Sequence, residues 1–506
     1  MKQITFTPQD KLGGILKGLN KVADAVAGTI GPKGRNVIID DQYQPKFTND
    51  GHTIAHSLTF KDKWENIGAW LVRNACSKTN DDAGDGTSTT AVLLQSVVQA
   101  SLSRPENSAE IRSSLLETSE YLVSKLKEVS KPIELKDIKK VALISAENEE
   151  LAELVTSTIQ EVGEKGVIVV EESKTFETKK EIQNGYEALA GFMSPYLANN
   201  QAGTICSQDN IAVLCSQLKI STLSDIAPLF KQMEEAKMNK LAIVCEDIDP
   251  QILGILVANK MNGILSVNVI KLIGTQLEDV AAVTGASLLS DATGVNFGNI
   301  NISEHLGLAE KITSDSKKTL FIAKSPKGKE LANRLQASLS IITSEYEAEQ
   351  VRQRIGKLTG GIAVIRVGGK TDADRIYRKH KIDDTVAACK AALAEGVVEG
   401  GGMCLWRLAK QLEGKTIGEQ ILKEALKAPL KKILENAALD YSDIVSGFDG
   451  TNGYDVRKGE YCNLVESGII DPTKVERLSL ETAISNAAYF ISAHAAIVDD
   501  VEEAKK

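Results

Sequence analysis

The sequence predicts a multidomain α+β protein, mainly helical at both chain ends, with an α/β domain inserted between them. Three observations carry that expectation. The chain has 506 residues, beyond the size at which one hydrophobic core goes on growing. Apolar residues recur near every 3.6 positions in residues 12–27 and again in Thr87–Leu102, the spacing of an amphipathic helix. Between residues 185 and 361, short β-branched runs alternate with helical stretches, the rhythm of βαβ units.

The elements follow in order. After the first helix, residues 36–40 alternate and residues 42–46 form a polar turn, so a small hairpin is expected beside the helices. Near Pro132 the character changes: a Glu-rich helix over 142–163, a strand over 166–171 and a charged stretch to residue 181 mark a domain boundary. Strands are expected at 211–215, 241–245 and 267–272, with helices between them, including 225–233 and 250–263. A heptad-like helix over 331–358 leads to the hinge pair Gly360 and Gly361 and the strand Ile362–Val367. A helix over 383–393, the glycines Gly400, Gly401 and Gly402, and further helices with a hairpin near Gly459 return the chain to its first domain. The middle domain is then an insertion, and its tether points at Gly185 and Gly360 lie close together.

Composition excludes several function classes. With 42% hydrophobic and 25% charged residues, the chain has an ordinary globular balance. Its longest apolar runs, such as Leu241 to Cys245, are too short to cross a bilayer, and the N-terminus lacks a charged-then-apolar secretory pattern, so a cytoplasmic location without a membrane partner is expected. A net charge of -9 and 5% aromatic residues speak against a nucleic-acid partner, which needs clustered cations and stacking surfaces. Seven cysteines are scattered with no CxxC pair and read as free thiols.

Two hydroxyl-rich glycine segments carry the chemistry: residues 29–34 (TIGPKG) and 84–90 (GDGTSTT). The second opens an apolar helix. Its glycines allow close backbone approach, and the free N–H groups of a helix's first turn favour a phosphate. Asp85 supplies a hard oxygen for magnesium, and Thr87, Ser88 and Thr89 supply hydroxyls. Neither segment fits GxxxxGK[ST] or GxGxxG, and DGTST at a helix start also reads as a simple N-cap. His52 and His56 stand four apart without the glutamate of HExxH, which disfavours a zinc protease. Trp64 and Trp70 read as packing, and the acidic runs at 147–150 and 177–181 as solvated faces.

In combination these segments are more specific. Residues 30–37 (IGPKGRNV), 80–87 (NDDAGDGT), 395–398 (EGVV) with Gly400, Gly401 and Gly402, and 470–475 (IDPTKV) resemble, in order and spacing, the signature segments of group I chaperonins, the GroEL and 60 kDa heat-shock type. The resemblance spans the chain and is weakest in the middle. It implies an equatorial ATPase domain from residues 1–132 and 396–506, an intermediate hinge domain from 133–184 and 362–395, and an apical substrate-binding domain from 185–361. It implies ATP, with Mg2+ on Asp85 and K+ on the Thr29 and Asn49 carbonyls and the Ser88 hydroxyl. Thr29, Ile30, Gly31 and Pro32 with Gly86, Thr87, Ser88 and Thr89 would wrap the phosphates. Gly401, Gly402, Asp455, Val456, Arg457 and Asp471 would line the ribose and base. Asp50 and Asp384 are the implied catalytic carboxylates, and Asp384, on the hinge-side domain, would reach the phosphate only on closure.

The helix over 250–263 is apolar nearly all round, which by itself reads as buried. The resemblance instead places Phe192, Tyr196, Leu197, Phe230, Leu253 and Val257 on an exposed apical surface that captures unfolded protein clients. Further implied partners are a sevenfold homo-oligomeric ring and a co-chaperonin. The sequence departs from the family pattern at Asn49 (lysine), Ser88 (threonine), Ala394 (acidic), and Ala227 and Ala258 (bulkier). It also lacks the Pro-Gly-Phe-Gly stretch after residue 272 and ends at Lys505 and Lys506 without a Gly-Gly-Met tail. The function expected is ATP-driven folding inside a ring. The alternative is a holder of one specific client working without a lid, and a monomeric kinase-like ATPase is disfavoured because no small-substrate cleft signature occurs.

Overall fold

The computed structural model describes residues 2–6, 9–40, 45–104, 106–164, 166–173, 175–200, 202–339, 342 and 344–499. The expected turn over 42–46 lies mostly, and the end at Lys505 and Lys506 wholly, outside the described residues. The chain divides into two compact units, one of Met1–Ser157, Glu172–Thr178 and Val367–Lys506, the other of Thr158–Glu171 and Lys179–Arg366.

The first unit is helical, and one core unites both chain ends. Leu19 and Val22 from Gln9–Ala27, Leu93 and Leu94 from Thr87–Leu102, Leu115 and Leu122 from Ser108–Val129, and Leu480 and Ile484 from Thr473–Ile491 are all buried in it. The strand Lys2–Phe6 pairs antiparallel with Ala495–Asp499, Ile4 opposite Ile497. Helices Gln9–Ala27 and Lys63–Ala83 cross backbone to backbone, because a Cβ on Gly18 would lie 1.9 Å from the Glu65 carbonyl oxygen and one on Gly68 1.8 Å from that of Ile15. Lys17 and Lys21 clasp the Glu65 carboxylate at 2.9 and 2.7 Å across this crossing.

The second unit carries a mixed 7-stranded sheet. Cys206–Ser216, Lys240–Cys245 and Ser266–Lys271 run parallel, joined through helices Leu223–Glu235 and Pro250–Met261. Gly307–Ser314, Thr319–Ile322 and Gly185–Ala188 extend the sheet antiparallel. A smaller 3-stranded sheet sets Ile362–Val367 between Val167–Glu172 and Lys179–Gln183. Gly185 meets Ile362, a Cβ there lying 2.2 Å from the Ile362 side chain.

Two long expected helices are broken. Residues 142–163 form Lys139–Ala146 and Glu149–Val162, because Glu147 turns left-handed at φ 54° and the Asn148 side chain accepts from Leu151 N. Residues 331–358 form Lys327–Ser338 and Glu345–Thr359. The Ser344 side chain caps the second helix. Trp64 packs against the first unit's core, as expected, whereas Trp70 stands 55% exposed. All seven cysteines are free thiols, Cys462 alone among them not buried.

The helix Glu345–Thr359 is anchored by a buried charge. Arg354 Nε donates to Asp279 Oδ1 at 2.6 Å and its Nη2 to Glu278 at 2.8 Å, while Tyr186 Oη donates to the other Asp279 oxygen at 3.2 Å. Asp279 is 1% exposed. Arg354→Met should therefore cost about 3–5 kcal/mol by stranding that carboxylate. Urea unfolding of Arg354→Met and of Arg354→Met/Asp279→Leu checks this: the double variant should recover most of the loss, and a single variant as stable as wild type would refute it.

Candidate functional site

The site is built within the first unit from segments far apart in sequence. The helix Thr87–Leu102 begins at Gly86, which sits left-handed at φ 86° with no side chain capping the helix. The N–H groups of its first turn are therefore left for another partner. Here the simple N-cap reading fails: Asp85 precedes the cap, and its Oδ1 accepts from Gly86 N at 2.6 Å. Only glycine fits, because a Cβ on Gly86 would come within 2.6 Å of Val475 and 2.7 Å of Ser479. Ser479 Oγ ties the Gly86 carbonyl at 3.2 Å, so the C-terminal helix Thr473–Ile491 fixes a turn near the N-terminus.

A second wall comes from residues 27–34. Asn436 donates to the carbonyls of Ala27 and Ile30, each at 2.9 Å, and Thr29 Oγ1 lies 3.0 Å from Ser88 Oγ. A third comes from the two-stranded pairing of Val397–Glu399 with Ile470–Pro472, which sets Asp471 beneath the glycine turn so that Gly401 N donates to Asp471 Oδ2 at 3.1 Å. Asp50 caps the helix Gly51–Ser57, accepting from His52 N at 3.2 Å and Thr53 N at 2.9 Å.

These walls enclose a cavity of about 590 Å³, ample for a small organic ligand. Thr29, Ile30, Gly31, Pro32, Asn49, Asp50, Asp85, Gly86, Thr87, Ser88, Thr89, Asp384, Gly401, Gly402, Asp455, Val456, Arg457 and Asp471 all line it. Asp384 is already there, in the same compact unit as Asp50 and Asp85, so in this conformation no closing movement is needed to bring it in. Sequence reasoning missed Glu476, Lys381, Glu147 and the apolar wall of Leu430, Ile433 and Ile469. Lys381 was within reach of such reasoning, standing three residues before Asp384 on one helix and hence on its face.

Charge is the site's dominant feature. Burial holds the Asp384 carboxyl well above the usual carboxylate range, and the charges of Asp85 and Asp50 add to it. Asp85 is raised by burial against the pull of the Gly86 N–H and Lys381. Burial and the Asp85 charge push Asp471 up to about 6, and burial with the Asp471 charge raises Glu476 well above the usual carboxylate range. Lys381, 8% exposed, is the buried cation among those lining the cavity, 2.9 Å from Glu147. Carboxyls so crowded in a site with free helix N–H groups suit a ligand that is anionic yet brings a cation with it. Asp85, whose hydrogen bond comes from Gly86 N alone among the described residues, keeps hard oxygen free for such a cation. No group of three or more metal-ligating side chains occurs among the described residues, and the His52 and His56 rings stack at 4.5 Å.

A family model, the TCP-1/cpn60 chaperonin family, matches residues 22–501. The chain belongs to this family. Two crystal structures of the chaperonin gp146 from bacteriophage EL 2 (Pseudomonas aeruginosa), both in the presence of ATP-BeFx, share the chaperonin fold. One has a TM-score of 0.74 at 20% identity, covering 99% of this chain and 100% of that one. The other crystal form has a TM-score of 0.64 at 20% identity, covering 98% and 99%.

The second unit holds the residues expected on the chaperonin's capturing surface, and one of them needs correction. Tyr196 is 69% exposed, but Phe192, Phe230, Leu253 and Val257 are half-buried against the core of the sheet. Leu197 is fully buried: it closes the turn Pro195–Leu197 and drops in among Ile226, Leu229 and Leu256. Exposed apolar residues that the sequence reading passed over are Met261, Ile264 and Ile273. Among the described residues no helix is long and apolar enough to cross a membrane.

Proposed function

We propose that the chain is an ATP-hydrolysing chaperonin subunit that assembles into a homo-oligomeric ring in the cytoplasm, captures non-native proteins and promotes their folding in a central cavity. The observation that carries this is the cavity in which the uncapped N-terminus of Thr87–Leu102, Asp85 and Asp384 converge. ATP is the substrate that fits it. The first-turn N–H groups of the helix and the backbone of Thr29 to Pro32 bind the phosphates, and Asp471 with the Gly401 and Gly402 turn orients the sugar. Asp85 would hold magnesium, which when bound neutralises phosphate charge; the Thr29 and Asn49 carbonyls and the Ser88 hydroxyl would hold potassium. Asp384 takes the proton of the attacking water, a role suited to a carboxyl whose basicity is raised by burial and neighbouring charge and which accepts no hydrogen bond among the described residues. Asp50 is spent on its helix cap and supports the site as a fixed charge. In this reading residues 1–132 and 396–506 are the equatorial part, 133–184 and 362–395 the hinge, and 185–361 the apical part.

Electron micrographs of the purified protein with and without ATP test the assembly. Sevenfold rings are expected, and a monomer at working concentration would overturn the proposal. Client capture is tested by Tyr196→Glu and Met261→Glu. Each puts a charge on an exposed apolar position (69% and 71% exposed) where capture would desolvate it. Both variants should fold, as thermal unfolding would report, yet retain a chemically unfolded client at least about tenfold less well; undiminished retention by both would move the capturing surface elsewhere.

A further inference from the structure

Glu476 lies in the first turn of Thr473–Ile491 and is 5% exposed. It faces the same cavity as Asp85 and Asp471. Its Oε2 is buried with no hydrogen-bond donor, a costly state for a carboxylate oxygen. The polar group within hydrogen-bond reach is another carboxyl, that of Asp471. Two buried carboxyls that meet in one site cannot both ionise readily, so one keeps a proton. Asp471 Oδ2 already accepts from Gly401 N, so Asp471 keeps the negative charge and Glu476 keeps the hydrogen. Around them stand Asp85, the Cys404 thiol and, behind it, the pair of Arg407 and Glu399. Arg407 is engaged with Glu399 at 2.5 Å and so gives Glu476 no cation.

We infer that Glu476 is a positioning residue that acts as a carboxylic acid, donating its hydrogen to Asp471 and so aiming the free Asp471 oxygen at the hydroxyls of the nucleotide's sugar. Gly401 fixes one Asp471 oxygen and Glu476 steadies the carboxylate against rotation. The sugar then meets an acceptor whose direction is set before binding, which lowers the ordering cost of the complex. The inference rests on the nucleotide reading of the cavity.

The experiment compares wild type, Glu476→Gln and Glu476→Met in steady-state hydrolysis of ATP and of 2′,3′-dideoxy-ATP. Glutamine keeps a donor at the same reach, so its KM for ATP should stay within about twofold of wild type. Methionine keeps the length without a donor, so its KM should rise about tenfold, the worth of one hydrogen bond to a charged group, with kcat little changed. Its preference for ATP over the dideoxy analogue should fall by the same factor, which a merely structural role for Glu476 would not produce. A glutamine variant with a KM raised as far as that of methionine, or a methionine variant with unaltered sugar preference, overturns the inference. Should Glu476→Met not fold, the glutamine arm still decides, a KM for ATP raised about tenfold over wild type overturning the inference. Wild-type protein that neither binds nor hydrolyses ATP would instead bring down the nucleotide reading itself.

Discussion

Asp384→Ala should slow single-turnover ATP hydrolysis by about 10² to 10⁴-fold while leaving ATP affinity nearly unchanged. Asp384 lines the cavity from the helix Asp372–Glu395, whereas the proposed phosphate contacts come from the Gly86 turn and residues 29–32. Removing it takes a partner from the water and none from the phosphates. Binding and rate therefore have to be measured separately, by titration and by rapid mixing. A wild-type rate in the variant, or loss of binding, would hand the step to Asp50 or to bound water alone. The same carboxyl sets a pH dependence. Its folded pKa is raised by burial and by Asp85 and Asp50, so the folded protein keeps a proton that the unfolded chain releases near pH 4. Stability from this group is then full below that pH and is lost as pH rises through the folded pKa. Asp384→Asn should match the nucleotide-free wild type in Tm below about pH 4, gain on it as pH rises, and level off above the folded pKa. An asparagine variant less stable at pH 8 would show that the carboxyl is not under strain.

Asp85→Ala should abolish ATP turnover and weaken nucleotide binding severely. The cavity holds Asp50, Asp384, Asp471 and Glu476 against Lys381, the one buried cation among the described residues that line it. Polyphosphate enters such a site only with a divalent cation beside it, and Asp85 is the carboxyl whose oxygen is open toward the helix N-terminus. Asp85 also holds Gly86 N at 2.6 Å, so its removal loosens the turn that aims the first-turn N–H groups. Isothermal titration with ATP, with and without magnesium, checks both effects. Wild type should bind far more tightly with magnesium and the variant should show little difference. Retained hydrolysis would move the metal to another carboxyl.

Much of the architecture was legible because it rests on local rules. The helix Thr87–Leu102 and the strand Ile362–Val367 stand where periodicity placed them, since both are strongly patterned, the helix opening after a glycine and the strand bounded by glycines at both ends. The helices over 142–163 and 331–358 were misjudged because apolar spacing runs on through short interruptions. What breaks them is a left-handed Glu147 and a Ser344 cap, local hydrogen bonds that spacing does not record. The motif residues of the cavity were legible as motifs. Glu476 was not, because a lone glutamate in a helix's first turn is ordinary and becomes exceptional only when its neighbours prove to be carboxyls.

By itself the sequence placed most of the helices and strands, marked the glycine, hydroxyl and carboxylate residues that line the cavity, and pointed to one helical body built from both chain ends. Those outcomes follow from short-range pattern and backbone preference. Only the tertiary structure decided that Gly86 leaves its helix uncapped, that Asp384 already lies among Asp50 and Asp85, that Leu197 is core and not surface, and that Glu476 faces the same cavity as Asp471 with a buried, unpartnered oxygen. Each depends on what stands across a gap from residues distant in sequence, where burial strengthens every charge and sets the cost of every missing partner.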